Sequence, residues 1–194
     1  KQSFPHPLGG GAQRREREGQ YRSRSALPVY TRQLFPDRVL GETAHYGETV
    51  FENDDLRMWH TGDAIAILSF KTKMHAVSNE VLDGMLRAVS EAEANFKALI
   101  LWQTVKFTVA GGGGIGQILN AATGNVPRVE EVVAKFQQVS MRLKYSSVPT
   151  IAAVDGLALG GGCEFSIHCS RIVATLESYI GLVEVGVGLL PAGG

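Results

Sequence analysis

Apolar residues recur along this chain in two different periods, and each change of period marks a new element. Leu56–His60 and residues 64–70 are short apolar runs separated by Thr61-Gly62-Asp63, which predicts two strands joined by a hairpin-like turn. After Ser78 the period lengthens to that of a helix, with Val81, Leu82, Met85, Leu86 and Val89 on one stripe. Ser78 suits the N-cap, and Glu80 and Asp83 sit near the positive end of the dipole. Residues 98–102 form an apolar run too short for a helix and predict a buried strand. The glycines 111–114 follow, then a short helical stretch around 115–122. The clearest amphipathic pattern covers 127–145: Pro127 suits the first turn, and Val129, Val132, Val133, Phe136, Val139 and Leu143 share one stripe. A further strand over 149–154 runs into Gly156 and Gly160-Gly161-Gly162, where a helix over 163–170 begins; a strand over 171–175 succeeds it. Strand, strand, helix, repeated with variations, is an α/β pattern, and the pattern alone leaves the topology open.

Residues 1–45 carry neither period. Gly9-Gly10-Gly11, Pro5, Pro7, Pro28 and Pro36, with alternating Arg, Glu and Ser, read as a flexible basic linker or interdomain connector, and 46–194 as the globular core. Arg14, Arg15, Arg17, Arg22, Arg24, Arg32 and Arg38 crowd this arm and leave the remainder mildly acidic. An Arg-rich arm can bind nucleic acid, but a solvated connector is the preferred reading. The whole chain has a formal net charge of zero, so its total charge offers no reason for nucleic acid or a membrane as partner. With 44% hydrophobic and 20% charged residues it has the composition of an ordinary globular protein. No apolar run approaches the roughly 18 residues of a membrane span, and no signal-peptide core follows the charged start. Cys163 and Cys169 lack metal-ligand spacing and give no disulfide framework, which predicts no metal site and a reduced, cytoplasmic compartment. A first residue that is lysine points to processing or to a piece of something longer.

Two glycine-rich turns carry candidate chemistry. In the first, Gly111, Gly113 and Gly116 satisfy the dinucleotide-binding spacing G-x-G-x-x-G. The second strand ending in an acidic residue that such a unit requires is not found; an amphipathic helix follows instead, with Glu130 and Glu131 at its start. A plain loop is the stronger alternative. In the second turn, a buried strand delivers Gly160-Gly161-Gly162 to the start of a helix. That corner can present unpaired N–H groups to an anion or to a carbonyl oxygen gaining charge. It can equally be a tight turn whose glycines permit close packing. Glu164 in the same first turn, and Glu184 as the one charge in the apolar, Gly-punctuated stretch 179–191, add a second possibility. Two carboxyls in apolar settings can hold a water and divide base and acid roles, provided that they meet in space.

Residues 151–164 (IAAVDGLALGGGCE) and 181–194 (GLVEVGVGLLPAGG) closely resemble the enoyl-CoA hydratase/isomerase (crotonase) family. Phe107-Thr108-Val109 before the first glycine turn is similar to the family's F-x-x-G-A-D, and His75-Ala76-Val77-Ser78 to its N-A-L-S segment. The four segments keep the family order and span most of the chain from residue 46. The connector (LPVYTRQLFPDRVLGE) is similar to what precedes the hydratase module of bifunctional 3-hydroxyacyl-CoA dehydrogenase/enoyl-CoA hydratase proteins, whose dehydrogenase would lie upstream.

The resemblance implies a right-handed spiral of ββα units, here without the C-terminal helices with which family members continue. It implies Glu164 and Glu184 as the catalytic pair and the Gly161 N–H as one oxyanion donor. The second donor is Gly111, with Gly112 in its place if the loop is lengthened; all-glycine sequence where the family has G-A-D leaves that choice open. His75, Ala76, Val77 and Gly112 match backbone and loop positions that contact substrate or coenzyme A. The implied partner is an acyl-CoA thioester, with trans-2-enoyl-CoA hydration in fatty-acid β-oxidation as the activity. No cofactor would be held permanently: coenzyme A arrives with the substrate, and NAD would serve only the absent dehydrogenase. A trimer-type homo-oligomer is the implied assembly, and the expected compartment is cytoplasmic. Isomerase, hydrolase and non-catalytic scaffold are the alternative readings, and retention of both glutamates favours hydration over single-carboxylate isomerisation.

Overall fold

A computed structural model describes residues 47–103 and 126–194. Strands β1 (Glu48–Glu52), β2 (Leu56–His60) and β3 (Ile65–Phe70) form an antiparallel meander, and helix α1 (Asn79–Asn95) returns the chain to β4 (Ala98–Trp102). Helix α2 (Val126–Lys144) precedes β5 (Thr150–Val154), the short β6 (Leu157–Leu159) and α3 (Gly161–His168). Strands β7 (Arg171–Ala174) and β8 (Tyr179–Gly181) and a 3₁₀ turn at Glu184–Val187 follow. The main sheet has the order β1-β2-β3-β4-β5-β7, antiparallel up to β3 and parallel from there on. β6 and β8 pair separately, in parallel. Two ββα units, β2-β3-α1 and β5-β6-α3, are thus visible in a mixed α/β chain.

Side-chain alternation explains the layering. Leu56 and Met58 on β2, Ala66 and Leu68 on β3, and Leu99 and Leu101 on β4 point to one face. There they meet Val81, Leu82, Met85, Ala88, Val89 and Ala92 of α1 and Val139 and Leu143 of α2. The opposite face is also closed in part. The Trp59 indole N–H donates to Ser69 Oγ at 3.2 Å, and the Ser69 hydroxyl donates to the Trp102 carbonyl at 2.7 Å. These bonds satisfy polar atoms that would otherwise be costly to bury.

α1 starts where the sequence places it. The Ser78 hydroxyl accepts from the Val81 N–H at 3.1 Å and donates to Asp55 Oδ2 at 2.8 Å, which ties the cap to the turn before β2. α2 lies beside α1, with Lys135 on Asp83 at 2.7 Å and Arg142 forked onto Glu93 at 2.7 and 3.3 Å. The Arg142 fork, with the Ser147 N–H, holds the Glu93 carboxyl below its ordinary range.

The expected β2, β4 and α1 positions and the α/β class match the structure, and α3 starts two residues before the expected 163. Three strands escaped the pattern. β1 is an edge strand with a register irregularity between Thr49 and Phe51, so its alternation is broken. β6 and β8 have three residues each, too few to show a period. The connector 1–45, glycines 111–114 and the helical stretch at 115–122 lie outside the described residues.

Gly84 marks a close approach of α1 to the sheet: a β-carbon there would collide with the side chain of Leu56, which is fully buried. Alanine is the better helix former by about 1 kcal/mol, but overpacking costs about 1–3 kcal/mol. Gly84→Ala is therefore expected to destabilise the protein, measured as a lower urea midpoint; an unchanged or higher midpoint would show that Leu56 can move aside.

Candidate active site

The start of α3 is built by backbone geometry. β6 ends at Gly160, whose φ of 57° and ψ of −123° exclude an ordinary side chain. The Gly160 N–H donates to the Gly181 carbonyl of β8 at 3.0 Å, and its own carbonyl accepts from the Glu164 N–H at 3.0 Å. A β-carbon on Gly160 would lie 3.0 Å from Glu184 Oε1, so this residue is where the two carboxyl-bearing segments meet. Gly161 is the first residue of α3, a position whose N–H has no acceptor within the helix. The Phe136 ring of α2 presses on it: a β-carbon there would sit 2.6 Å from Phe136 Cζ.

Glu164 is 5% exposed, and its Oε1 accepts from the Gly193 N–H at 2.7 Å. Glu184 opens the 3₁₀ turn and is half-buried; its Oε2 is enclosed and has no hydrogen-bond partner among the described residues. Both glutamates line one cavity of about 210 Å³, together with Gly160, Gly161 and Val77. Val132, Val133 and Phe136 of α2, with Leu189 and Leu190, make its walls apolar. Burial pushes the Glu164 carboxyl above its ordinary range; the Gly193 amide opposes that shift and the nearby Glu184 charge reinforces it. The same burial, with both glutamates, pushes the Cys163 thiol up, which keeps it a protonated space-filler.

Four of the sequence candidates, Glu164, Glu184, Gly161 and Val77, thus converge on one cavity. His75 and Ala76 precede Val77 but do not line it. His75 is buried at 6% exposure with φ of 51°, its Nδ1 has no partner among the described residues, and burial pushes its pKa down. The Ala76 carbonyl accepts the Thr72 hydroxyl at 2.7 Å. Gly111 and Gly112 lie outside the described residues. His60 packs against Phe96, and His168 Nδ1 donates to the Glu164 carbonyl at 2.7 Å, so both have ordinary packing roles. Among the described residues no group of His, Cys, Asp and Glu could hold a metal ion. No helix is long and apolar enough to cross a membrane among them.

Sequence reasoning missed Gly193 and the division of the α2 stripe. Val139 and Leu143 enter the core, whereas Val132, Val133 and Phe136, on the same stripe, face the cavity. Periodicity identifies an apolar face but not what lies opposite it.

A native carboxyl whose pKa is raised binds more protons than its unfolded counterpart between the two values, so its contribution to stability falls as pH rises through that window. Glu164→Gln removes this penalty, and the new amide oxygen can still accept from Gly193. The variant is expected to melt at or above the parent temperature at pH 7, the difference shrinking toward pH 4. A clearly lower melting temperature at pH 7 would contradict a raised Glu164 pKa.

Comparison with known proteins gives concordant findings. The family model for enoyl-CoA hydratase/isomerase matches residues 60–194. A protein of Bacillus subtilis (strain 168) named "Probable 3-hydroxyacyl-CoA dehydrogenase" is 34% identical over 145 residues, 75% of this chain and 18% of that protein. The mitochondrial methylglutaconyl-CoA hydratase of Mus musculus is 30% identical over 156 residues, 77% of this chain and 49% of that protein. The crystal structure of enoyl-CoA hydratase from Bacillus anthracis superposes with a TM-score of 0.63 at 23% identity, over 72% of this chain and 55% of that one, a likeness of fold. The chain therefore spans about a fifth of the first relative and about half of the second.

Proposed function

Because the chain belongs to the enoyl-CoA hydratase/isomerase family and has its crotonase fold, we propose that it forms the hydration site for a trans-2-enoyl-CoA, giving a 3-hydroxyacyl-CoA. The observation that carries this reading is the meeting of Glu164 and Glu184 on one cavity beside the first turn of α3. A single-carboxylate isomerase needs only one of them; a hydration site has work for both.

In the reaction Glu164 takes a proton from water, and the oxygen adds to the β-carbon of the unsaturated thioester. The displaced electron pair moves through the α-carbon to the thioester oxygen. The Gly161 N–H and the positive end of α3 stabilise that enolate-like oxygen, together with a second donor assigned to Gly111 or Gly112. Losing one such donor typically costs about 3–4 kcal/mol. Glu184 then delivers a proton to the α-carbon, so that H and OH have been added in total, and a proton passes back from Glu164 to Glu184 before the next turnover. The Gly193 bond occupies one oxygen of Glu164 and leaves the other to receive the water's proton. On this reading the backbone at His75, Ala76 and Val77 contacts coenzyme A.

The cavity also bears on the acyl group. Apart from the two glutamates, the side chains facing it are apolar, and no cationic group among the described lining residues would pair a second carboxylate. This supports an apolar acyl chain, as in fatty-acid β-oxidation, over the dicarboxylic acyl group in the methylglutaconyl relative's name. The name of the Bacillus subtilis relative supports a dehydrogenase fused to this module, with NAD bound there, and we extend the proposal to that partnership. A trimer-type assembly and a cytoplasmic setting complete it.

The full-length protein is expected to hydrate crotonyl-CoA, followed as loss of the conjugated thioester absorbance, and to turn over 3-methylglutaconyl-CoA far more slowly. Glu164→Gln and Glu184→Gln should each lower kcat by about 10²–10⁴-fold. Full turnover in either variant would remove the two-carboxyl mechanism, and no turnover in the parent would favour a scaffold role.

A further inference from the structure

The Glu164 carboxyl is held by a peptide that is itself held. Residues 191–194 have no regular secondary structure, and Pro191, Ala192 and Gly194 are exposed, so nothing within the segment fixes it. Two side chains of α2 do. Gln137 Nε2 donates to the Ala192 carbonyl at 2.8 Å, and the Ser140 hydroxyl, fully buried, donates to the Gly193 carbonyl at 2.6 Å. The Ala192 carbonyl and the Gly193 N–H belong to one planar peptide unit. Gripping its oxygen therefore aims its N–H in the opposite direction, where Glu164 Oε1 accepts it at 2.7 Å. Positions 137 and 140 are three residues apart and share one helix face, so one element sets both contacts. The Phe136 ring, stacked on Phe165 at 4.3 Å, lies against Gly193 and leaves no space there for a β-carbon.

We propose that Gln137 and Ser140 are positioning residues for Glu164: Gln137 grips the oxygen of the Ala192–Gly193 peptide and Ser140 that of the following one, and between them they keep the Gly193 N–H aimed at the carboxylate. The Gln137 bond and the Glu164 bond lie in series across one peptide and polarise one another, so the Gln137 grip strengthens the donor as well as aiming it, whereas the Ser140 bond holds the next peptide in place. The kinetic consequence rests on the hydration reading above; the structural one does not.

The test uses the full-length protein labelled with ¹³C at the glutamate δ-carbon. Infrared titration follows the carboxylate band, with Glu164 assigned by difference against Glu164→Gln. Gln137→Ala and Ser140→Ala are each expected to raise the Glu164 midpoint by about half to one pH unit, the size expected for a lost hydrogen bond to a carboxylate. In crotonyl-CoA hydration they should lower kcat about 3–10-fold, with KM within about twofold and the acid limb of the pH profile moved up in step. Gln138→Ala, at the next exposed glutamine, should move neither. If Ser140→Ala does not fold, Gln137→Ala decides alone, since that side chain is exposed. An unmoved midpoint in Gln137→Ala with a native circular dichroism spectrum overturns the proposal. Absence of hydration by the parent protein overturns only the hydration reading, because the infrared midpoint still decides whether the clamp exists.

Discussion

Burying Glu164 in an apolar cavity beside another carboxyl is the constraint around which the rest of the site is arranged. Removing a charge from water is costly unless hydrogen bonds replace the lost hydration. Here the replacement comes from backbone amides, the Gly193 N–H foremost, on a segment that approaches closely because Gly193 has no side chain. Glu184 is brought in by a different device. The turn that carries it follows β8, and β8 is held by the Gly160 N–H, so one left-handed glycine sets both the start of α3 and the placement of the second carboxyl. The two acids thus arrive on different elements, the first turn of α3 and the turn after β8, that are joined by a backbone bond.

The frame that presents these pieces is more robust than the site itself. Parallel strands β3, β4, β5 and β7 run side by side, and the helices that follow them cover one face. The apolar residues of β7, β8 and the segment beyond are largely open to solvent. Val173 is 63% exposed, Val185 71% and Leu190 80%.

Much of this frame was legible in the sequence because burial imposes periods. Val81, Leu82, Met85 and Val89 announced a helix, and Ser78 announced where it starts, since a hydroxyl at that point satisfies an amide the helix cannot. β4 and β5 were legible for a related reason: strands that are largely buried are short and rich in apolar residues, as in Ala98–Trp102 and residues 151–154. β1 was not, because an edge strand that is partly exposed is under no such demand. In the site, Glu164 and Glu184 stood out as charges in apolar surroundings, which is a local property. Their convergence is a property of the whole fold and has no local signature. Gln137 and Ser140 looked like ordinary polar positions on a helix, and only the passage of residues 192–193 over α2 gives them something to hold.

The tryptophan arrangement has a consequence for how this protein can be observed. The chain has two tryptophans, Trp59 and Trp102, and both are buried in the sheet with ring centroids 5.9 Å apart. Neither lines the cavity with the glutamates. Intrinsic emission is therefore a gauge of whether β2 and β4 remain packed, and it is poorly placed to register occupancy of the carboxylate cavity. Ligand titrations on this molecule call for a reporter placed near the cavity or carried by the ligand.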